Sequence, residues 1–98
     1  MYYVYVIRSL KDKTFYIGYS CSVKRRIGEH NRGKGRFTSR HMPWEIIYYE
    51  AFRSELMAKH REKMLKETSR AWQELRKRLG INHREKRTLI DPSQDVLF

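Results

Sequence analysis

A chain of 98 residues has room for one domain with a modest core and not for two. Lys and Arg number 22 against 11 Asp and Glu, a formal charge of +11; such an excess repels itself in a compact state and points to a polyanion as partner, nucleic acid ahead of an anionic membrane surface. No apolar run approaches the roughly 18 residues of a membrane span, and the first residues lack the basic-then-apolar layout of a secretion signal, so a cytoplasmic protein is expected.

Residues 2–8 and 14–20 are rich in Tyr, Val, Ile and Phe and flank "SLKDKT", whose Lys-Asp-Lys suits a turn. They are predicted to form a β-hairpin. Side chains alternate along a strand, so Val4 and Val6 face one way and Tyr3, Tyr5 and Ile7 the other. With a turn near Lys11 and Asp12, paired residue numbers add to 21 or 23. Val4 and Val6 then join Phe15 and Ile17 on an aliphatic face. Tyr3, Tyr5, Tyr16, Gly18 and Ser20 share the opposite face, a phenol-lined platform with a glycine gap where something could approach. Periodicity alone favours a plainer account, in which the tyrosines pack on a helix with their hydroxyls at the rim.

Cys21, the single cysteine, has no disulfide partner, and with four scattered histidines it offers no zinc spacing. It is expected to be a buried or half-exposed structural thiol. Ser22 precedes "VKRRIGEHN", predicted as a helix with a serine cap that "NRGKG" closes at Gly33. Residues 33–43, "GKGRFTSRHMP", read as a mobile basic loop facing DNA, and "WEIIYYEAF" (44–52) as a third strand. Ser54 caps and Glu55 opens a helix through about Leu65. Ser69 is predicted to cap another helix, with a Trp72, Leu75 and Leu79 stripe and Gly80 as its stop. The order β-β-α-β-α-α predicts an α+β domain over residues 1–80, a small antiparallel sheet flanked by helices. Residues 81–98 read as a loosely attached C-terminal tail.

Seven Lys or Arg lie between Lys24 and Arg40 against one acid, Glu29. Lys24, Arg25, Arg32, Lys34, Arg36 and Arg40 are expected to attract phosphate as solvated charges. Arg26 and His30 differ, because i, i+4 spacing sets them on one helix face. Arg26 suits a bidentate phosphate contact and His30 a proton transfer, although such a pair also arises by chance on a basic helix. Glu62 shares a stripe with Ala58 and Leu65, so its carboxylate points toward the sheet and needs a cation. A metal ion and an ion pair with Arg61, Lys66 or another basic residue rank level. Phe37, Trp44 and Trp72 are aromatic enough to stack on bases, with Trp44 and Trp72 better placed in the core.

Taken together, "YVY" at 3–5, "YIG" at 16–18, the Arg26 and His30 spacing, and "HREKMLK" at 60–66 with its glutamate resemble the GIY-YIG nuclease superfamily. The layout over about residues 2–79 is most similar to the small stand-alone bacterial proteins of UPF0213 type. One departure is that "YVY" stands where the name-giving "GIY" would be, with the third tyrosine kept as Tyr5. The resemblance implies a three-stranded antiparallel sheet and a metal-dependent DNA endonuclease, with structure-selective work in repair or recombination among its uses. It implies Tyr5, Tyr16, Arg26, His30 and Glu62 as catalytic residues, with Glu62 holding one Mg²⁺ or Mn²⁺. Arg26 would neutralise charge on the phosphate, Tyr5 with His30 would orient or deprotonate the water, and Tyr16 would bond the phosphate or the water network. A phenol near its ordinary value of about 10 is a poor base at neutral pH, and between Tyr5 and His30 the base stays open. DNA is the implied partner, with a protein partner as one source of target specificity. The alternatives are a binding module of the same fold without cleavage and, last, a protein-interaction adaptor.

Overall fold

The computed structural model describes residues 1–81; the predicted tail lies outside the described residues apart from Ile81. The predicted order holds, with one added helix. Strands β1 (Tyr2–Ser9) and β2 (Phe15–Ser20) form the hairpin, followed by α1 (Val23–Asn31), a short α2 (Arg36–Ser39), β3 (Trp44–Phe52), α3 (Glu55–Glu67) and α4 (Ser69–Leu79). The sheet order is β2-β1-β3, antiparallel throughout.

The hairpin register sorts the side chains between the two faces of the sheet. Tyr3 pairs with Ser20, Val4 with Tyr19, Tyr5 with Gly18 and Val6 with Ile17, each pair adding to 23, one of the two expected sums. One face therefore carries Val4, Val6, Phe15 and Ile17, which pack with Ala58 and Leu65 of α3 and Trp72 and Leu75 of α4. The other carries Tyr5, Ile7 and Tyr16, which pack with Trp44 under Val23, Ile27, Phe37 and Met42. The central strand is thus buried on both faces, so its apolar run is nearly continuous.

The helix ends follow their caps. Ser22 accepts a hydrogen bond from the Arg25 amide and Ser54 one from the Met57 amide, each satisfying an orphan donor of the first turn. At the start of α4 the cap position falls to Thr68, with Ser69 the first helical residue, one position from expectation. Gly80 ends α4 in the left-handed conformation, at φ 71°, which only glycine adopts without steric cost.

The 33–43 segment is not an irregular loop. It contains α2, where Thr38 is buried and its carbonyl accepts a hydrogen bond from the Trp44 indole at 2.8 Å. Phe37 packs against His41, with ring centroids 4.4 Å apart. Phe37 is therefore a wall of the second core and not a free stacking platform. Trp44 and Trp72 are core residues, as expected.

Candidate active site

Between α1 and α3, at the open end of the hairpin, lies a cleft of about 550 Å³. Arg26 from α1 and Glu62 from α3 both line it, with Tyr2, Tyr19, Ser20, Cys21, Arg25, Glu55, Lys59 and Lys66. Two elements far apart in the chain therefore aim a guanidinium and a carboxylate into one space. Cys21 is exposed at the edge of this cleft, contrary to the expectation of a buried or half-exposed thiol. It stands at the strand-to-helix corner just before the Ser22 cap, where neither core reaches it.

Tyr5, Tyr16 and His30 sit behind Arg26 and not on the cleft wall. All three are essentially fully buried. The Tyr5 hydroxyl meets His30 Nε2 at 3.0 Å, and the Tyr16 ring stands edge-on to the His30 ring at 4.9 Å. Tyr5 also hydrogen-bonds Arg26. The phenol layer thus forms the floor under the guanidinium.

Gly18 explains how this floor closes. A Cβ at that position would lie 2.4 Å from the Tyr5 hydroxyl oxygen, 2.5 Å from its ring carbon and 2.9 Å from the Tyr16 ring. The glycine gap is thus filled by the protein's own phenol across the strand pair, and no ligand enters there.

Arg26 is almost fully buried, yet its Nη1 donates to Glu29 Oε1 at 2.7 Å. Burial alone would lower the guanidinium pKa, but the Tyr5 and Tyr16 phenols and the Glu29 carboxylate outweigh it and hold the value above its ordinary one. The group is cationic at every working pH. Glu29 answers in the opposite direction. Burial pushes its carboxyl up, and the Arg26 hydrogen bond with the charges of Arg26, Arg25 and Lys34 brings it below its ordinary 4.5. Because the folded value is depressed, the stability it contributes is present above about pH 4.5 and is lost as pH falls through the folded value. Glu29→Gln should therefore cost about 1–3 kcal/mol at neutral pH. As pH falls below the ordinary 4.5 and through the depressed folded value, the variant and wild type should converge in thermal melts, and a gap that stays constant over that range would exclude the pair as its cause.

Glu62 takes the ion-pair partner that the sequence left open: Lys66 Nζ lies 3.1 Å from Glu62 Oε2. Arg61 instead pairs with Glu50 on β3, at 2.9 Å. Lys66 is buried, with Nζ 5.9 Å from the centroid of the Tyr16 ring. Glu55, Lys59, Glu62 and Lys66 stand at helical spacing along the cleft side of α3. On the opposite wall Tyr19 donates to Glu55, and its phenol is pushed up to about 12 by burial and by that carboxylate. Four cationic side chains (Arg25, Arg26, Lys59 and Lys66) face the cleft against two carboxylates (Glu55 and Glu62). The space therefore favours an anion.

Among the described residues no group of three or more His, Cys, Asp or Glu could hold a metal ion. Glu62 offers one carboxylate at the cleft wall. That suits a hard divalent cation such as Mg²⁺, which keeps several waters and shares phosphate oxygens, and does not suit an all-protein cage. Lys24 and Arg25 lie on α1, Arg32 and Lys34 between α1 and α2, Arg36 on α2 and Arg40 at its C-cap. Of these, Arg25 reaches the cleft. Lys66 and the Tyr19–Glu55 wall were absent from the predicted site. Their signal was the 55, 59, 62, 66 spacing, which in a charged helix reads as a solvated face.

A three-stranded antiparallel sheet flanked by helices, with tyrosines from the hairpin beneath an arginine and a glutamate from two helices, matches a known catalytic domain. A family model for the GIY-YIG catalytic domain matches residues 1–77, and this chain belongs to that family, a superfamily of nuclease type. The chain is similar to UPF0213 proteins. That of Natronomonas pharaonis is 42% identical over 74 residues, covering 74% of this chain and 86% of the relative. That of Streptococcus agalactiae is 41% identical over 69 residues, covering 69% and 77%. The resemblance to bacterial proteins thus extends to archaeal ones. The solution NMR structure of the Bacillus halodurans UPF0213 protein matches with a TM-score of 0.50 at 34% identity, covering 87% of this chain and 92% of that one. Among the described residues no helix is long and apolar enough to cross a membrane.

Proposed function

We propose that this protein is a metal-dependent DNA endonuclease that hydrolyses phosphodiester bonds in the Arg26–Glu62 cleft. The observation that carries the reading is the convergence of Arg26 and Glu62 on one cationic cleft, over a buried Tyr5–His30 hydrogen bond. Glu62 would hold the Mg²⁺ or Mn²⁺, which when bound supplies Lewis-acid polarisation of the phosphate and stabilises the departing oxygen.

The chain's own residues do the rest. Arg26, permanently charged and fixed by Glu29 and Tyr5, holds the non-bridging phosphate oxygens and gains most as charge grows on them in the transition state. Water adds to phosphorus as the bond to the 3′ oxygen breaks, leaving a 5′-phosphate and a 3′ oxygen that takes a proton from solvent in the open cleft to become the hydroxyl. The Tyr5–His30 pair behind Arg26 would accept the water's proton once the phosphate and its water are seated against that wall, Tyr5 passing a proton to His30 Nε2 through their hydrogen bond. Tyr16 holds the His30 ring in place from the other side. Lys66 keeps Glu62 oriented by their ion pair and adds positive charge to the cleft. Lys24, Arg25, Arg32, Lys34, Arg36 and Arg40 supply salt-sensitive attraction to the DNA backbone. Repair or recombination is the setting in which such a cut would serve, with a protein partner selecting the target.

The test is cleavage of labelled supercoiled plasmid, duplex, single strand, flap and four-way junction with Mn²⁺, Mg²⁺ or EDTA. Cutting with either metal and none in EDTA is the expected result. Absence of cutting on every substrate, with tight salt-sensitive binding retained, would instead support a binding module of the same fold. That second reading draws on the Glu62–Lys66 pair, since the carboxylate already has a cation.

A further inference from the structure

Phe37, Trp44 and Trp72 are committed to the cores, so an aromatic surface for nucleotides has to be sought elsewhere. Helix α1 covers Tyr5, Ile7 and Tyr16 but leaves the outer part of the same face, at β1 and the edge strand β3, uncovered. There Tyr3 and Tyr49 stand edge to face, with centroids 6.0 Å apart. Tyr49 is 58% exposed and Ile46 38%. With Val23, Lys24 and Ile27 of α1 they line a groove of about 480 Å³, a size and composition suited to a small planar ligand. Cys21 belongs to the wall of this groove and also to the wall of the Arg26–Glu62 cleft, so the two spaces adjoin.

We propose that the Tyr3–Tyr49 groove receives an unstacked nucleobase next to the scissile phosphate, so that the preferred substrate is DNA with unpaired nucleotides beside the cut. The inference rests on the reading of the adjoining cleft as a phosphodiester site. A base inside a duplex already has both faces covered by its neighbours, and only a splayed base can lie against an exposed phenol. Lys24, at the groove's rim, supplies the cation that the next phosphate along the strand requires. That charge, and the nearness of the cationic cleft, favour a nucleotide over a second copy of the chain as occupant.

The experiment measures binding of the full chain in EDTA, where no cutting occurs, to a short single strand carrying 2-aminopurine and to a duplex of the same sequence. Wild type is compared with Tyr49→Ala and Tyr49→Phe. Loss of one stacking contact should weaken single-strand binding about 5- to 150-fold in Tyr49→Ala, with loss of 2-aminopurine quenching. Duplex affinity should stay within about twofold, and Tyr49→Phe should bind like wild type. Equal weakening of both DNAs, or of neither, overturns the proposal. So does a wild-type dimer in sedimentation that Tyr49→Ala converts to monomer, because the groove then belongs to a second copy. Selective single-strand loss in a protein that never cuts would uphold the groove while ending the nuclease reading. Cutting that is indifferent to Tyr49 would do the reverse.

Discussion

Glu62→Gln should reduce DNA cleavage by at least about 10²–10³-fold, the scale of losing one electrostatic contact to the transition state, while the protein still binds DNA. The substitution keeps the side chain's shape and removes the negative charge that a divalent cation needs. Binding should survive because it comes from surface Lys and Arg, and losing an acid from a cationic cleft does not weaken attraction to phosphate. Lys66 loses its charged partner, so a stability loss of about 1–3 kcal/mol is expected. Melts at the assay temperature must show the variant folded before the rate is read. Arg26→Lys should also lose cleavage, since a point charge cannot replace a planar guanidinium that bonds Glu29 and Tyr5 together. Wild-type rates in Glu62→Gln would remove the cleft from the chemistry.

Gly18→Ala should be the most damaging single methyl that can be added near the site. The new Cβ would fall 2.4 Å from the Tyr5 oxygen and 2.9 Å from Tyr16, and both rings are packed too tightly to move aside cheaply. Overpacking of this kind costs about 1–3 kcal/mol or more, which lowers the melting temperature of a small domain by on the order of 5–20 °C. Cleavage should fall as well, because the displaced phenol carries the hydrogen bonds to His30 and Arg26. In the double variant Gly18→Ala, Tyr5→Leu, the clash with the far end of the ring is gone, so the stability loss should be smaller than the sum of the two single losses, and activity should stay absent. A single variant that melts like wild type would show that the hairpin can relax around the methyl.

Much of this site was legible in the sequence because its information is periodic. The two strands alternate cleanly, and the Lys11–Asp12 turn sets their register, so the partition of Val4 and Val6 from Tyr3 and Tyr5 comes from counting. Arg26 and His30 are one helical turn apart, and Glu62 interrupts an apolar stripe, so each could be placed on an inward face. Caps and stops were readable for a related reason, since Ser22, Ser54 and Gly80 act on their own neighbouring backbone. Less legible was the 33–43 segment. Its helix is only four residues long and owes its position to contacts with Trp44, which no local pattern encodes.

The amino-acid sequence by itself determined the family, the three-stranded α+β order, the two faces of the hairpin and the identity of the inward-facing arginine, histidine and glutamate. These depend on interactions a few residues apart or on a strand register set by one turn. Only the tertiary structure decided that Arg26 and Glu62 share a cleft, that Lys66 rather than Arg61 holds Glu62, and that Tyr5 fills the space over Gly18. It also decided that, among the described residues, Tyr49 is exposed on β3 while Phe37 packs against the second core. Each of these is a meeting of side chains from separate elements, set by how α1 and α3 pack on opposite faces of one sheet, and local periodicity carries no information about that packing.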